Sequence, residues 1–173
     1  MATPYPTQAR LKELFDYNPD TGELTRLITS GPNALIGEVT KGTLSVKGYY
    51  RIQVDGVQYL VHRLAWILVY GSIPSHLQID HINRDRADNR ILNLRLATNA
   101  QNQQNKTIDS RNKSGYAGVF WYAKKQTWTA KIKVNKVTIH LGTFRDLDQA
   151  VKVRKMAEKK YFTHAPVTPE LIE

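Results

Sequence analysis

The chain has 173 residues, no cysteine and a formal charge of +10, with 41% hydrophobic and 23% charged residues. That length buries one moderate core or two small ones, and the missing thiols exclude disulfides and cysteine-ligated metal. No apolar run approaches the roughly 20 residues of a membrane span, and MATPYPTQARLKELF has no apolar core ahead of its charges, so a soluble, cytoplasmic protein without membrane contact is expected.

In chain order, residues 7 to 15 read as a weak helix, and DYNPDTGEL as a turn leading into a short strand, followed by a loop at ITSGPN. Residues 48 to 61 carry a hairpin pattern: Tyr50, Ile52 and Val54 alternate with Arg51 and Gln53, and Asp55-Gly56 supplies a primed turn. His62 to Tyr70 reads as a buried helix closed by Gly71 and Pro74. His62 and Arg63, at its start, suit phosphate contact or a capping and buried hydrogen-bonding role.

Leu77 to His81 is predicted to be a strand whose end carries Asp80 and His81. Adjacent strand side chains point to opposite faces, so the two converge only if the strand ends or twists there, and the polar stretch after His81 permits that. Asn93 precedes a further short strand, and Thr98 is a fitting N-cap for a helix carrying Asn99, Asn102 and Asn105, which also fit a plain polar helix surface. Chemically, His81 has a side chain that titrates near neutrality and can take a proton from water. Asp80 and Asn102 offer hard oxygen donors of the kind that suit Mg2+, with Mn2+ as a substitute. A base, a cation on phosphate and rigid positioning are what phosphodiester hydrolysis requires.

The pattern Asp80-His81, eleven residues, Asn93, eight residues, Asn102 resembles the HNH endonucleases, in particular the H-N-N variety of phage homing enzymes, and GYYRIQVDGVQYLVHRLAW is similar to the segment before the motif in that group. The resemblance spans about residues 7 to 106. It implies a ββα-metal hairpin with His81 as base, Asn93 as the orienting residue, and Asp80 and Asn102 as metal ligands. Many members have histidine where this chain has Asn102.

Residues 106 to 173 hold fourteen Lys or Arg against six Asp or Glu, whereas residues 1 to 105 hold eleven against nine, so the basic excess lies in the last third. No acidic residue occurs between Asp109 and Asp146. A polyanion is the natural partner, and the interleaved Trp, Val, Ile and Tyr favour a folded basic surface over a solvated tail.

Residues 107 to 113 read as a linker. Beyond it, Thr127 to Val134 alternates strictly, with Trp128, Ala130, Ile132 and Val134 on one face and Thr127, Thr129, Lys131 and Lys133 on the other. Tyr116 to Ala123 precedes it across a KKQ turn and Val137 to Leu141 follows, giving a three-stranded antiparallel meander. A helix capped by Asp146 or Asp148 and running to about Tyr161 covers one face through Leu147, Ala150, Val151, Ala157 and Tyr161.

The segments GYAGVFWY, TWTAKIKV and HLGTF, followed by a helix, resemble the AP2 (ERF-like) DNA-binding domain. That resemblance implies an open sheet face in the major groove of duplex DNA, with Lys131 and Lys133 as leading contacts and Lys124, Lys125, Thr127 and Thr129 near the groove edge. Arg111, Lys113, Arg63 and Arg95 complete the candidate DNA contacts. The dense arginines of plant members are missing here, and Lys is the poorer bidentate reader.

The expected architecture is α+β: residues 1–106 a nuclease domain with an N-terminal hairpin and helix, 114–165 an AP2-like domain, and 166–173 a tail. The resemblances imply a metal-dependent endonuclease acting on double-stranded DNA. The alternative is a DNA-binding regulator or packaging accessory with a purely structural HNH fold. A monomer and a homodimer are both compatible with the sequence.

Overall fold

The computed structural model describes residues 4–32, 34–105 and 112–164. The chain is α+β and divides into two compact units, Met1–Asn99 and Ala100–Glu173. Arg111 and the tail 166–173 lie outside the described residues, as does most of the linker.

In the first unit, α1 (Gln8–Leu14) starts at Thr7, whose side chain accepts from the Arg10 amide at 3.1 Å, and it buries Leu11 and Leu14. The short strands β1 (Phe15–Tyr17), β2 (Leu24–Arg26) and β3 (Val39–Thr40) form one antiparallel sheet. A second is built from β4 (Thr43–Leu44), β5 (Tyr50–Val54) and β6 (Val57–Leu60). Asp55 and Gly56 both take positive φ, 48° and 82°, as the two-residue β5–β6 turn requires. β1, β3 and β4 were not expected from the sequence; at two or three residues they are too short to display a period.

Helix α2 (Val61–Tyr70) follows and ends at Gly71, whose φ of 88° suits glycine and whose N–H returns to the Ile67 carbonyl at 2.8 Å. It is apolar on most of its circumference and buried on most of it. One side packs Val61, Leu64, Ile67 and Leu68 against Leu11, Leu24, Ile52 and Val54. Another packs Ala65 and Trp66 against Ile79 and Leu94. Those last two belong to a two-stranded hairpin of β7 (Gln78–His81) and β8 (Leu94–Ala97), in register from Gln78 opposite Ala97 to His81 opposite Leu94.

In the second unit, α3 (Asn99–Gln104) is tied to residues after the last helix: Gln101 Nε2 donates to Thr163 Oγ1 at 3.2 Å, and the His164 amide donates to Gln104 Oε1 at 3.1 Å. The antiparallel sheet runs β11-β10-β9 from β9 (Val119–Tyr122), β10 (Thr127–Val134) and β11 (Val137–Phe144). α4 (Leu147–Tyr161) is capped by Asp146, which accepts from the Gln149 amide at 2.8 Å, and it covers Val119 and Ala130 with Ala150 and Val151.

Strand β9 starts later than the alternation implies. Gly118, at φ 76°, and a turn knit by Asn112 and Ser114 occupy the preceding residues. β11 runs on to Phe144 through a bulge opposite Ala130 and Lys131. The stripe of α4 also holds a residue that the apolar pattern missed. Arg154 is 6% exposed, paired with Glu158 at 2.9 Å and 5.2 Å from the Phe162 ring centroid; burial pushes its pKa below the ordinary value, against the opposing charge of Glu158.

Candidate active site and nucleic-acid surface

The end of β7 carries Asp80 and His81, 7% and 5% exposed. Arg95 stands directly across the hairpin from Asp80, and its Nε and Nη2 both reach Asp80 Oδ2, at 2.9 and 2.8 Å. The His81 ring turns to α2 and to the segment before β5. Its centroid is 4.9 Å from that of His62, at an interplanar angle of 76°, and 5.9 Å from that of Tyr49. Arg86 lies over the other partner, its guanidinium carbon 5.0 Å from the Tyr49 centroid.

Burial pushes the His81 pKa below 6.5, against the Asn89 side chain and the charge of Asp80, which act in the opposite direction. Burial also holds His62 well below 6.5, reinforced by the charge of His81. Both imidazoles are therefore neutral at physiological pH, the form in which a histidine can accept a proton.

The segment between β7 and β8 is held by its own polar side chains. Asn93 Oδ1 accepts from the Asn83 amide at 3.0 Å, Asn93 Nδ2 donates to the Asp88 carbonyl at 2.8 Å, and the Ile82 amide donates to the Asn93 carbonyl at 2.8 Å. The Asp88 carboxylate takes Arg90 Nη2 at 2.6 Å and Asn83 Nδ2 at 2.8 Å, which holds its pKa below the usual carboxylate range. Asn93 thus clamps the loop backbone that follows His81. The amide that acts on the His81 ring is that of Asn89, 3% exposed, whose backbone carbonyl accepts from the Tyr17 hydroxyl at 2.7 Å.

Asn102 stands on α3, in the second unit. Asp80 supplies a carboxylate, and Arg95 makes both of its bonds to one of its oxygens. A carboxylate and an amide oxygen are the donor set of a hydrated Mg2+ that keeps several waters and takes phosphate oxygens. The Asp80 carboxylate fits such an ion by its donor type. Among the described residues no group of three His, Cys, Asp or Glu forms the closed site that a structural transition metal needs.

In the second unit, Lys124 and Lys125 form an exposed turn before β10, and Lys131 and Lys133 project from β10 on the face away from Ala130 and Ile132. Thr127 and Thr129 share that face, opposite Tyr122 and Phe120 on β9. Phe120 and Tyr122 are 52% and 45% exposed, so two aromatic rings lie among the lysines. Trp128 points the other way, half-buried against the core and 5.0 Å from Trp121. Lys113 is exposed. Arg63 bonds the Tyr5 hydroxyl and lies over that ring, and Arg95 is held by Asp80, so neither is a freely projecting surface cation.

Tyr49, Arg86, Asn89, Phe120 and Tyr122 were not among the sequence candidates. For His62 a signal exists in the chain: it precedes Trp66 by four residues, one helical turn, and Trp66 covers the hairpin. Asn89 and Tyr49 sit in irregular segments where no period reveals which side chains turn inward.

Residues 59–104 match the family model described as HNH endonuclease. The chain is 29% identical over 117 residues to an uncharacterized HNH endonuclease, L560, of Acanthamoeba polyphaga mimivirus, covering 67% of this chain and 60% of that one. It is 31% identical over 71 residues to Protein 3.8 of Escherichia phage T7, covering 41% of this chain and 59% of that one. It therefore spans about 60% of the length of these curated relatives. A solved structure of the HNH homing endonuclease I-HmuI, from work on its DNA binding and cleavage, aligns over 84% of this chain and 82% of that one with a TM-score of 0.43 and 20% identity. Among the described residues no helix is long and apolar enough to cross a membrane.

Proposed function

We propose that the chain is a metal-dependent endonuclease that hydrolyses phosphodiester bonds in double-stranded DNA, of the homing type. The observation that carries this reading is a neutral, buried His81 beside Asp80 at a strand end, within the segment that matches the HNH endonuclease family. His81 takes the proton from a water molecule as its oxygen attacks phosphorus. Asp80 and Asn102 would hold Mg2+, or Mn2+ in its place, which neutralises charge on the phosphate and on the departing 3′ oxygen. Asn93 keeps the loop after His81 rigid, which holds the base in one position relative to the ester.

The second unit is the AP2-like binding module in this reading. Lys124, Lys125, Lys131 and Lys133 neutralise backbone phosphates, and Thr127 and Thr129 add hydrogen bonds. Phe120 and Tyr122, among those cations, give apolar contact with sugars or thymine methyls.

The ion pair of Asp80 with Arg95 is the one observation that favours the alternative, a DNA-binding protein in which the hairpin is only structural. Supercoiled plasmid incubated with Mg2+, Mn2+ or EDTA separates the two. Wild type is expected to nick only with metal, and His81→Ala to be slower by about 10²- to 10⁴-fold, the usual contribution of a general base. Equal, metal-independent products from both proteins would defeat the reading.

A further inference from the structure

Arg86 leaves the loop between β7 and β8 and lies along the turn between β4 and β5. A Cβ on Gly48 would meet Arg86 Cβ and Cδ at 3.8 Å, an ordinary packing distance, so the aliphatic stem runs along the glycine backbone. Its Nη1 donates to the Lys47 carbonyl at 3.0 Å, and its guanidinium carbon stands 5.0 Å from the Tyr49 ring centroid. The same ring lies 5.9 Å from that of His81 and 5.3 Å from that of His62. One aromatic ring is thus the shared neighbour of the guanidinium and both imidazoles.

This cation is fixed without being neutralised. Arg10, Arg26, Arg90 and Arg95 each hold a carboxylate, whereas Arg86 is exposed and makes no ion pair among the described residues. The carboxylates of its own loop are engaged elsewhere: Asp85 Oδ1 accepts from the Ala87 amide at 2.9 Å, and Asp88 takes Arg90 and Asn83. Arg63 also stacks on a tyrosine, but its Nε is buried.

A strut between the loop and the turn is the structural role open to Arg86. The loop is already fastened by Asn93 and by the bond of Tyr17 to the Asn89 carbonyl. Ordering a long side chain costs conformational entropy, and what it prepares here is a planar cation with further N–H donors. That form takes a pair of anionic oxygens at little additional ordering cost.

We propose that Arg86 binds a backbone phosphate of the DNA strand beside the ester that is hydrolysed. The phosphate stands about one or two nucleotides from that ester, since phosphates follow one another by roughly 3.4 Å along the axis. Which ester is cut rests on the nuclease reading; the contact of Arg86 with DNA does not.

Two measurements on the full chain test this. In the first, duplex DNA binding in EDTA is titrated with salt for wild type, Arg86→Met and Arg86→Lys. Arg86→Met keeps a stem on Gly48 and drops the charge; it is expected to weaken binding about fivefold or more and to lower the logarithmic salt slope by about one. Arg86→Lys keeps the charge and a slope close to that of wild type. A mere strut would leave the slope of all three alike. In the second, the nick made with Mg2+ is mapped, and single phosphates around it are replaced by neutral methylphosphonates in a synthetic duplex. One replacement within about two nucleotides of the nick is expected to slow wild type about tenfold and Arg86→Met no more than about twofold, because the variant has no charge left to lose there.

An unchanged slope in Arg86→Met overturns the proposal, and so does a mapped nick around which no neutral phosphate separates the two proteins. If wild type fails to nick while the slope still drops, the phosphate contact holds and the nuclease reading fails. Should Arg86→Met not fold, Arg86→Gln, which keeps a donor and loses the charge, decides on both readouts.

Discussion

Two imidazoles packed edge to face in one core make the first unit sensitive to acid. Burial is the leading cause for both, disfavouring the charged ring. In the unfolded chain each histidine titrates near 6.5, whereas in the folded state each stays neutral to lower pH. Below about 6.5 the unfolded state thus binds more protons, and stability that is complete above that value drains away as pH falls. The loss approaches about 1.4 kcal/mol per pH unit for each group in the window below 6.5. The urea midpoint of wild type is expected to drop as pH is lowered from about 7.5 to about 5, and His62→Phe to flatten that drop. A wild-type midpoint that does not move would contradict the neutral pair. At this scale the sequence singled out His81, Asp80 and Asn93 as candidates through spacing, but Asn89 and Tyr49 carry no periodic signal. Their inward orientation follows from bonds such as that of Tyr17 with the Asn89 carbonyl, made across 72 positions of chain.

At the scale of elements, the sheet of the second unit depends on one close approach. Gly118, at φ 76°, brings its backbone against Arg154 Nε and the Lys131 carbonyl, and its own carbonyl accepts from the Lys131 amide at 2.8 Å. A Cβ there would collide with both, and an L side chain resists that φ. Gly118→Ala is expected to destabilise the unit by roughly 1–3 kcal/mol or more, read as faster amide exchange throughout β9, β10 and β11. Protection equal to wild type would mean that β9 yields cheaply. The sequence marked β10 and α4 well, because an eight-residue alternation and a capped amphipathic run are long signals. It misjudged the start of β9, where the Asn112 and Ser114 turn overrides a favourable run of aromatic and β-branched residues.

For the whole molecule, charge organisation is the basis for expecting a polyanionic partner. The formal excess of +10 lies mostly after residue 105, and Lys131 and Lys133 share an open sheet face with Phe120 and Tyr122. DNA binding that neutralises about six phosphates gives a logarithmic salt slope of roughly five. Lys131→Ala with Lys133→Ala is expected to lower that slope by about two in a salt titration on duplex DNA. An unchanged slope would remove this face from the interface.

The sequence by itself determined the α+β class, the hairpin turn at Asp55-Gly56, the basic C-terminal part and the spacing of His81 and Asn93, since these rest on local preference, net charge and counting along the chain. Tertiary structure alone decided that Arg95 engages Asp80, that Asn93 clamps the loop, and that His62 and Tyr49 pack on His81. Those contacts join side chains from different elements, and only the packing of α2 on the hairpin and the cross-strand register bring them within reach.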